Sequence, residues 1–208
     1  MKGLFITIEG PDGSGKTTVT TILKERLEKL GYDIVHTREP GGIEIAEQIR
    51  NIILDVNNTA MDGKTEALLY AASRRQHLVE RVYPAIKEGK IVLCERFIDS
   101  SLAYQGYGRN LGFEEILNLN LFATDKTFPD LTIYLDVDEQ VGLDRINANR
   151  TNKDRLDQES IDFHHRVVQG YKRVLDEFKD RIVVVDASKQ LDEVVEECMK
   201  IILGLING

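Results

Sequence analysis

Cysteine is scarce in this chain: the 208 residues contain two, Cys94 in "KIVLCERF" and Cys198 in "VVEECMKIILGLI". There is no CxxC and no Cys/His cluster, so neither a disulfide framework nor a zinc site is expected. Both thiols should be reduced and in or near the core. No apolar run reaches the roughly 20 residues of a membrane span. The N-terminal "MKGLFITIEG" passes straight into a strand pattern, without the apolar stretch and cleavage site of a secretory leader. A cytoplasmic location and no membrane partner are the expectation. A basic surplus is missing too: 27 Lys and Arg stand against 35 Asp and Glu, net −8. That excludes a broad surface for nucleic acid polymer, which binds by neutralising many phosphates. A small basic pocket for one nucleotide stays compatible. Repeats and low-complexity linkers are absent. With 42% apolar residues in this length, a single domain over 1–208 is expected.

What is present alternates. "LFITIEG" is rich in β-branched and aromatic residues and too apolar to alternate, as a buried parallel strand should be. Val19, Ile22, Leu23, Leu27 and Leu30 then follow helical spacing up to Gly31. "YDIVHT" predicts a second strand, and Ile45, Ile49, Ile52 and Ile53 a helix. Lys64 to Ile86 reads as one long helical pattern with Pro84 near its end. "KIVLCERF" is a third strand, followed by helical segments from Ser100 and from Glu114. "LTIYLDVD" is a fourth strand, with helices over Glu139–Asn149 and Ile161–Phe178. "RIVVVDA" is a fifth, with a last helix over Leu191–Ile206. The pattern predicts an α/β fold: a five-stranded parallel sheet with helices on both faces. The least apolar stretch, "NANRTNKDRLDQES", suits a mobile loop.

Gly10, Gly15, Lys16 and Thr17 in "GPDGSGKT" match G-x-x-x-x-G-K-[ST], with a buried strand before and a helix after. The glycines let backbone N–H groups converge on phosphate oxygens, and the helix N-terminus adds positive potential. Lys16 would reach the β and γ phosphates, and Thr17 would offer a hydroxyl to Mg²⁺. The bland alternative is a glycine-rich turn without ligand. GTPases need an N-K-x-D guanine reader. "TNKDR" comes close, but Arg155 stands where the aspartate should be and no strand precedes it. Motor ATPases pair the loop with an acidic strand end. Here the third strand ends "VLCERF", an acid followed by a cation, as a kinase needs to hold an acceptor's phosphate.

Arg38 and Arg96 both sit at predicted carboxyl ends of strands, where open parallel sheets bind ligands. Guanidinium groups there can bond phosphate bidentately; surface ion pairs are the alternative. Tyr70 and Arg74 are i and i+4 on one helix. They could stack on and hydrogen-bond a flat base. On spacing alone, core packing for Tyr70 and a solvated pair with Glu66 or Glu80 for Arg74 are favoured. "ERFIDSSLAYQGYGR" offers small polar residues suited to a nucleotide pocket, or simply a capped helix start.

In order along nearly the whole chain, "EGPDGSGKTT", "TREPGG", "TEALLYAASRRQH", "SSLAYQGYGR", "PDLTIYLDV" and "DRLDQE" resemble the bacterial thymidylate kinases. These move the γ-phosphoryl of ATP to dTMP, giving dTDP. The P-loop is generic; "TREPGG" followed by "AASRRQH" and "AYQGYGR" is specific. The resemblance implies the nucleoside-monophosphate-kinase-like P-loop fold, with a mobile lid over about 147–158. It assigns Gly10, Pro11, Asp12, Gly13, Ser14, Gly15, Lys16, Thr17 and Thr18 to the ATP phosphates, and Arg96 with Arg38 to the dTMP phosphate. Tyr70 would stack on thymine, and Arg74 and Gln105 would bond its edge with Ser101 beside them. Tyr104 would pack against the sugar, and Arg50 would line the same pocket. Asp12, a carboxylate inside an anion cradle, would face the acceptor's 3′-hydroxyl. One family arrangement carries an arginine in the P-loop just after that acid. Gly13 stands there, so the lid-arginine arrangement is implied, with Arg150 first, Arg155 second and Lys153 also available. The usual Asp-Arg-Tyr is Glu95-Arg96-Phe97 here; Glu95 keeps the charge for Mg²⁺ but adds a methylene. The expected catalytic group is Lys16, Arg96, Glu95 and Arg150. The family is commonly homodimeric.

Two rival readings fit the same motifs. A deoxynucleoside kinase would phosphorylate a 5′-hydroxyl with Glu39 as base, but would leave Arg38 and Arg96 without an anion. A nucleotide sensor would bind without turnover, and the intact Lys16 and Thr17 speak against it.

Overall fold

The computed structural model describes residues 3–149 and 154–208. Among these, β1 (Leu4–Glu9), β2 (Ile34–Arg38), β3 (Ile91–Glu95), β4 (Leu131–Asp136) and β5 (Ile182–Asp186) form one sheet. All pairings are parallel and the order is β2-β3-β1-β4-β5. β1 is central, which is why its sequence stays apolar at successive positions: both of its faces are covered. Phe5 packs on one side with Val92, Cys94 and Phe97. Ile6 and Ile8 pack on the other.

The second face is closed by α1 (Lys16–Lys29) and α9 (Leu191–Asn207). Val19, Leu23 and Leu27 of α1 meet Val195, Cys198 and Ile202 of α9 over the sheet. The first face carries α8 (Ile161–Glu177), whose Phe163, Val167, Tyr171 and Val174 recur at helical spacing and are buried. Both cysteines are free and buried, as their apolar surroundings require.

α2 (Glu44–Leu54) packs against α3 (Gly63–His77) beyond β2. The long helical pattern expected from Lys64 is present but is interrupted. A π-helical turn over Leu78–Val82 separates α3 from α4 (Tyr83–Lys87). The N–H of Tyr83 bonds back to the carbonyl of Leu78. The turn sits where Pro84 removes the N–H that regular α-winding would use. A second such turn, Leu102–Gly108, follows the short α5 (Ile98–Ser101) and leads to α6 (Phe113–Ala123). α7 (Glu139–Asn149) follows β4. Residues 150–153, which include the expected Arg150 and Lys153, lie outside the described residues.

Candidate active site

The loop from Gly10 to Gly15 joins β1 to α1. Gly13 has φ +78°, and a Cβ there would lie 2.1 Å from the carbonyl oxygen of Gly142 on α7. Position 13 therefore has no room for the arginine that the other family arrangement carries. α1 begins at Lys16 with no side-chain cap, so its first N–H groups stay available to a ligand. Lys16 Nζ donates to the carbonyls of Pro11 (2.7 Å) and Gly10 (3.1 Å) and to Ser14 Oγ (3.4 Å). Burial, with Arg96 nearby, pushes its pKa down to about 7, against the pull of Asp12, Glu9 and Glu95. Thr17 Oγ1 donates to Glu95 Oε2 at 2.8 Å, and His36 Nε2 lies 3.2 Å from Glu95 Oε1. Burial alone would raise the Glu95 carboxyl, but the His36 and Thr17 bonds outweigh it and hold it below its ordinary value. A hydroxyl and an ionised carboxylate beside a phosphate cradle are hard oxygen donors of the kind Mg²⁺ takes.

At the carboxyl end of β3, Arg96 has φ +63°, unusual for a residue with a side chain. Backbone strain of this kind persists where the surroundings over-determine it. Arg96 Nη2 donates to Asp12 Oδ1 at 2.6 Å, and Tyr104 OH donates to Asp12 Oδ2 at 2.6 Å. The guanidinium lies 5.0 Å from the Tyr104 ring centroid. Its Nη1 reaches Ser100 Oγ and Tyr171 OH. Beneath it sits Glu9, fully buried, accepting from the N–H of Phe97 (2.6 Å), Ser100 Oγ (2.6 Å) and Tyr171 OH (3.0 Å). Burial and the neighbouring Asp99 raise the Glu9 pKa. Ser100, one of the small polar residues suited to a nucleotide pocket, does line the cavity beside this hub. Sequence reasoning missed Glu9 and Tyr171. The one available signal was an acid closing an otherwise apolar strand.

Beside this hub opens a cavity of about 100 Å³. Asp12, Arg50, Tyr70, Arg74, Arg96, Ser101, Tyr104 and Gln105 all line it. Arg74 is not solvated, contrary to what spacing favoured. It is buried, with Nε donating to Glu39 Oε2 (2.7 Å), Nη1 to Ser101 Oγ (3.0 Å) and Asn120 Oδ1, and Nη2 to the carbonyl of Phe97 (2.9 Å). Glu39 also meets His77 Nδ1 at 2.9 Å. Burial would raise the Glu39 carboxyl, but Arg74 and His77 outweigh it and keep its pKa lowered. A carboxylate so occupied is a poor proton acceptor, which weakens the rival in which Glu39 is a base. Arg38 is set apart: half-exposed, it bonds Glu47 at 2.8 and 3.0 Å and lines the neighbouring cleft instead. Arg155 is buried too, donating to the carbonyl of Ile53 (2.8 Å) and to Glu66 Oε2 (2.5 Å).

That cleft lies over the P-loop and is walled by Arg145 and by Ala187, Ser188, Lys189 and Gln190 after β5. Arg145 donates to the carbonyls of Gly13 (3.4 Å) and Ala187 (3.4 and 3.5 Å). Neither Arg145 nor the loop after β5 was singled out from sequence. Each looks like an ordinary polar stretch until the fold brings it to the P-loop.

Residues 8–198 match the family model described as Thymidylate kinase. The chain belongs to the thymidylate kinase family. Among its relatives is a thymidylate kinase of Geobacillus sp. (strain WCH70), 56% identical over 100% of both chains. Another, from Clostridium novyi (strain NT), is 55% identical over 94% of this chain and 96% of its own. The crystal structure of thymidylate kinase from Ehrlichia chaffeensis superposes with TM-score 0.80 at 33% identity, covering 97% of this chain and 100% of that one. The chain is thus a kinase with the fold of the thymidylate kinases. The α/β reading and the family resemblance drawn from the motifs both hold.

Proposed function

We propose that the cleft over the P-loop takes Mg·ATP and the adjoining cavity takes dTMP, with transfer at their junction. The activity of this family member is the ATP-dependent phosphorylation of dTMP to dTDP. The observation that carries the site reading is that cleft and cavity share a wall of Asp12, Glu39, Arg50 and Arg96, the last bonded to Asp12 of the P-loop. A donor's γ-phosphoryl on one side and an acceptor phosphate on the other would meet at that arginine.

The P-loop N–H groups and Lys16 hold the donor phosphates. Thr17 and Glu95 would hold Mg²⁺, which when bound neutralises charge on the β and γ oxygens. Arg96 binds and orients the dTMP phosphate, with Arg38 on the donor side of it. Arg74 and Gln105 bond the base edge beside Ser101, Tyr70 stacks on the ring, and Arg50 closes the pocket. Asp12, held by Arg96 and Tyr104, accepts from the 3′-hydroxyl, while Tyr104 crowds the position of a ribose 2′-hydroxyl. That is why a carboxylate sits in a phosphate cradle: it belongs to the second substrate. The acceptor oxygen is already an anion, so no general base is needed. Positioning and charge stabilisation carry the rate.

Arg150 and Lys153 are the candidate lid cations, within a lid over 147–158 that excludes water on closing; Arg155 is already engaged by Glu66. The chain acts as one domain in the cytoplasm and as a homodimer. Exposed Leu68, Val79 and Phe122 lie on α3, its π turn and α6, elements that pack together and would be covered in a dimer. No described helix is long and apolar enough to cross a membrane.

The test is ADP release with Mg·ATP and dTMP, dUMP, dCMP, AMP or thymidine as acceptor. Strong turnover with dTMP and little with thymidine is expected. Turnover with thymidine but not dTMP would overturn the arginine-pocket reading. Binding of both nucleotides without any ADP formation would make the protein a sensor.

A further inference from the structure

Glu66 is a carboxylate with no access to solvent, on the α3 face beside the acceptor cavity. Its Oε1 accepts from Gln105 Nε2 at 2.9 Å and from Arg109 Nε at 3.2 Å. Its Oε2 accepts from Arg109 Nη2 at 2.9 Å and from Arg155 Nη2 at 2.5 Å. Burial would raise this carboxyl, but the bonds from Arg109 and Gln105 outweigh it and keep its pKa lowered. An ionised carboxylate only accepts hydrogen bonds. The amide of Gln105 must therefore turn its NH₂ to Glu66, whichever way its oxygen and nitrogen would otherwise be assigned.

The consequence falls inside the cavity. Gln105 lines it, and its Oε1 accepts no hydrogen bond from the described residues. The end of the amide left for a ligand is an acceptor. Thymine and uracil present an N3–H donor at that edge, whereas cytosine presents a bare N3 acceptor. An acceptor facing an acceptor leaves both unpaired in a buried site, which is costly.

We infer that Glu66 is a positioning residue for base specificity: by fixing the amide of Gln105, it makes the pocket select N3–H pyrimidines over cytosine. The inference rests on the proposed dTMP site and adds a residue that touches no substrate. It has a directional consequence. In Glu66→Gln the amide oxygen would take the Oε2 place, where both arginine Nη2 groups already point. The NH₂ would fall at the Oε1 place and face Gln105. Guanidinium groups cannot reverse their donors, but the Gln105 amide can turn over. It would then present NH₂ to the cavity, which suits cytosine N3.

The experiment compares kcat and KM for dTMP and dCMP in wild type, Glu66→Gln, Arg109→Met and the swap Glu66→Gln/Gln105→Glu, with thermal melts of each. In Glu66→Gln the dTMP:dCMP ratio of kcat/KM should fall at least about 10-fold, mostly through KM. Arg109→Met removes an ion pair from Glu66 but leaves the Gln105 bond, so its ratio should stay within about 2-fold of wild type even if it melts earlier. The swap returns an acceptor oxygen to the cavity and should restore preference for dTMP. A folded Glu66→Gln with the wild-type ratio overturns the inference, as does an equal fall in Arg109→Met. If Glu66→Gln does not fold, the swap decides, and a swap that favours dCMP overturns it. A wild-type enzyme that ignores dTMP would instead sink the functional reading beneath it.

Discussion

Lys16 shows how much a single side chain depends on what is beside it. It lines up with loop carbonyls, is buried and lies next to Arg96. Its pKa of about 7 lies well below the ordinary 10.5. Between those values the unfolded chain holds a proton that the folded chain lacks, so stability without nucleotide should rise with pH across that window. Triphosphate supplies the missing negative charge and should bring the proton back. Titration calorimetry at pH 8, in buffers of different ionisation enthalpy, should show roughly one proton taken up per ATP bound. Lys16→Met should lose both the uptake and the pH slope. Proton-neutral ATP binding by the wild type would mean that Lys16 is already charged in the empty loop.

Among the elements, the π-helical turn over Leu102–Gly108 positions the pocket. It carries Tyr104, bonded to Asp12, and Gln105, bonded to Glu66. Its wide winding is visible in the bond from the N–H of Arg109 to the carbonyl of Tyr104 at 2.9 Å. α8 presses directly on it at Gly170, where an added Cβ would lie 2.7 Å from Ala103 Cα and 2.9 Å from Tyr107 Cβ. Alanine would favour the helix by about 1 kcal/mol. Yet the atoms it meets are backbone and Cβ, which cannot swing aside. The net loss for Gly170→Ala should be about 1–3 kcal/mol, lowering Tm by roughly 3–10 °C. The KM for dTMP should rise with it, because the displaced turn bears the pocket side chains. Calorimetry and steady-state kinetics check both; an unchanged Tm would mean that α8 slides off the turn at no cost.

For the molecule as a whole, charge acts in two opposed ways. The chain carries net −8, which repels nucleotides at long range. Lys16, Arg38, Arg50, Arg96 and Arg145 are nevertheless gathered around the cleft and cavity. If the local cluster governs capture, raising KCl from about 50 to 500 mM should lower kcat/KM for both substrates by roughly 3- to 10-fold. If the net charge governs it, salt should raise kcat/KM instead, so the sign of the slope decides between the two fields.

The P-loop and the sheet were legible because the signals are local. In "GPDGSGKT" every hydrogen-bond partner of Lys16 among the described residues lies within six positions. An apolar run such as "LFITIE" states its own burial on both faces. The place of Arg96 at a strand end followed from the same local logic. What could not be read were partnerships between distant residues. Arg74 looked like a solvated cation because Glu39, Ser101 and Asn120 are 35, 27 and 46 positions away. Glu9 finds Tyr171 across 162 positions, and Glu66 finds Arg155 across 89. Spacing on one helix constrains only the neighbours three or four residues along it. A buried charge takes its partner from whatever the packed fold brings to it. The sequence by itself therefore determined the phosphate cradle and the sheet that presents it. Only the tertiary structure decided which side chains hold the cavity beside Asp12 and Arg96 in shape, because desolvation makes each buried ion dependent on a partner that chain order does not reveal.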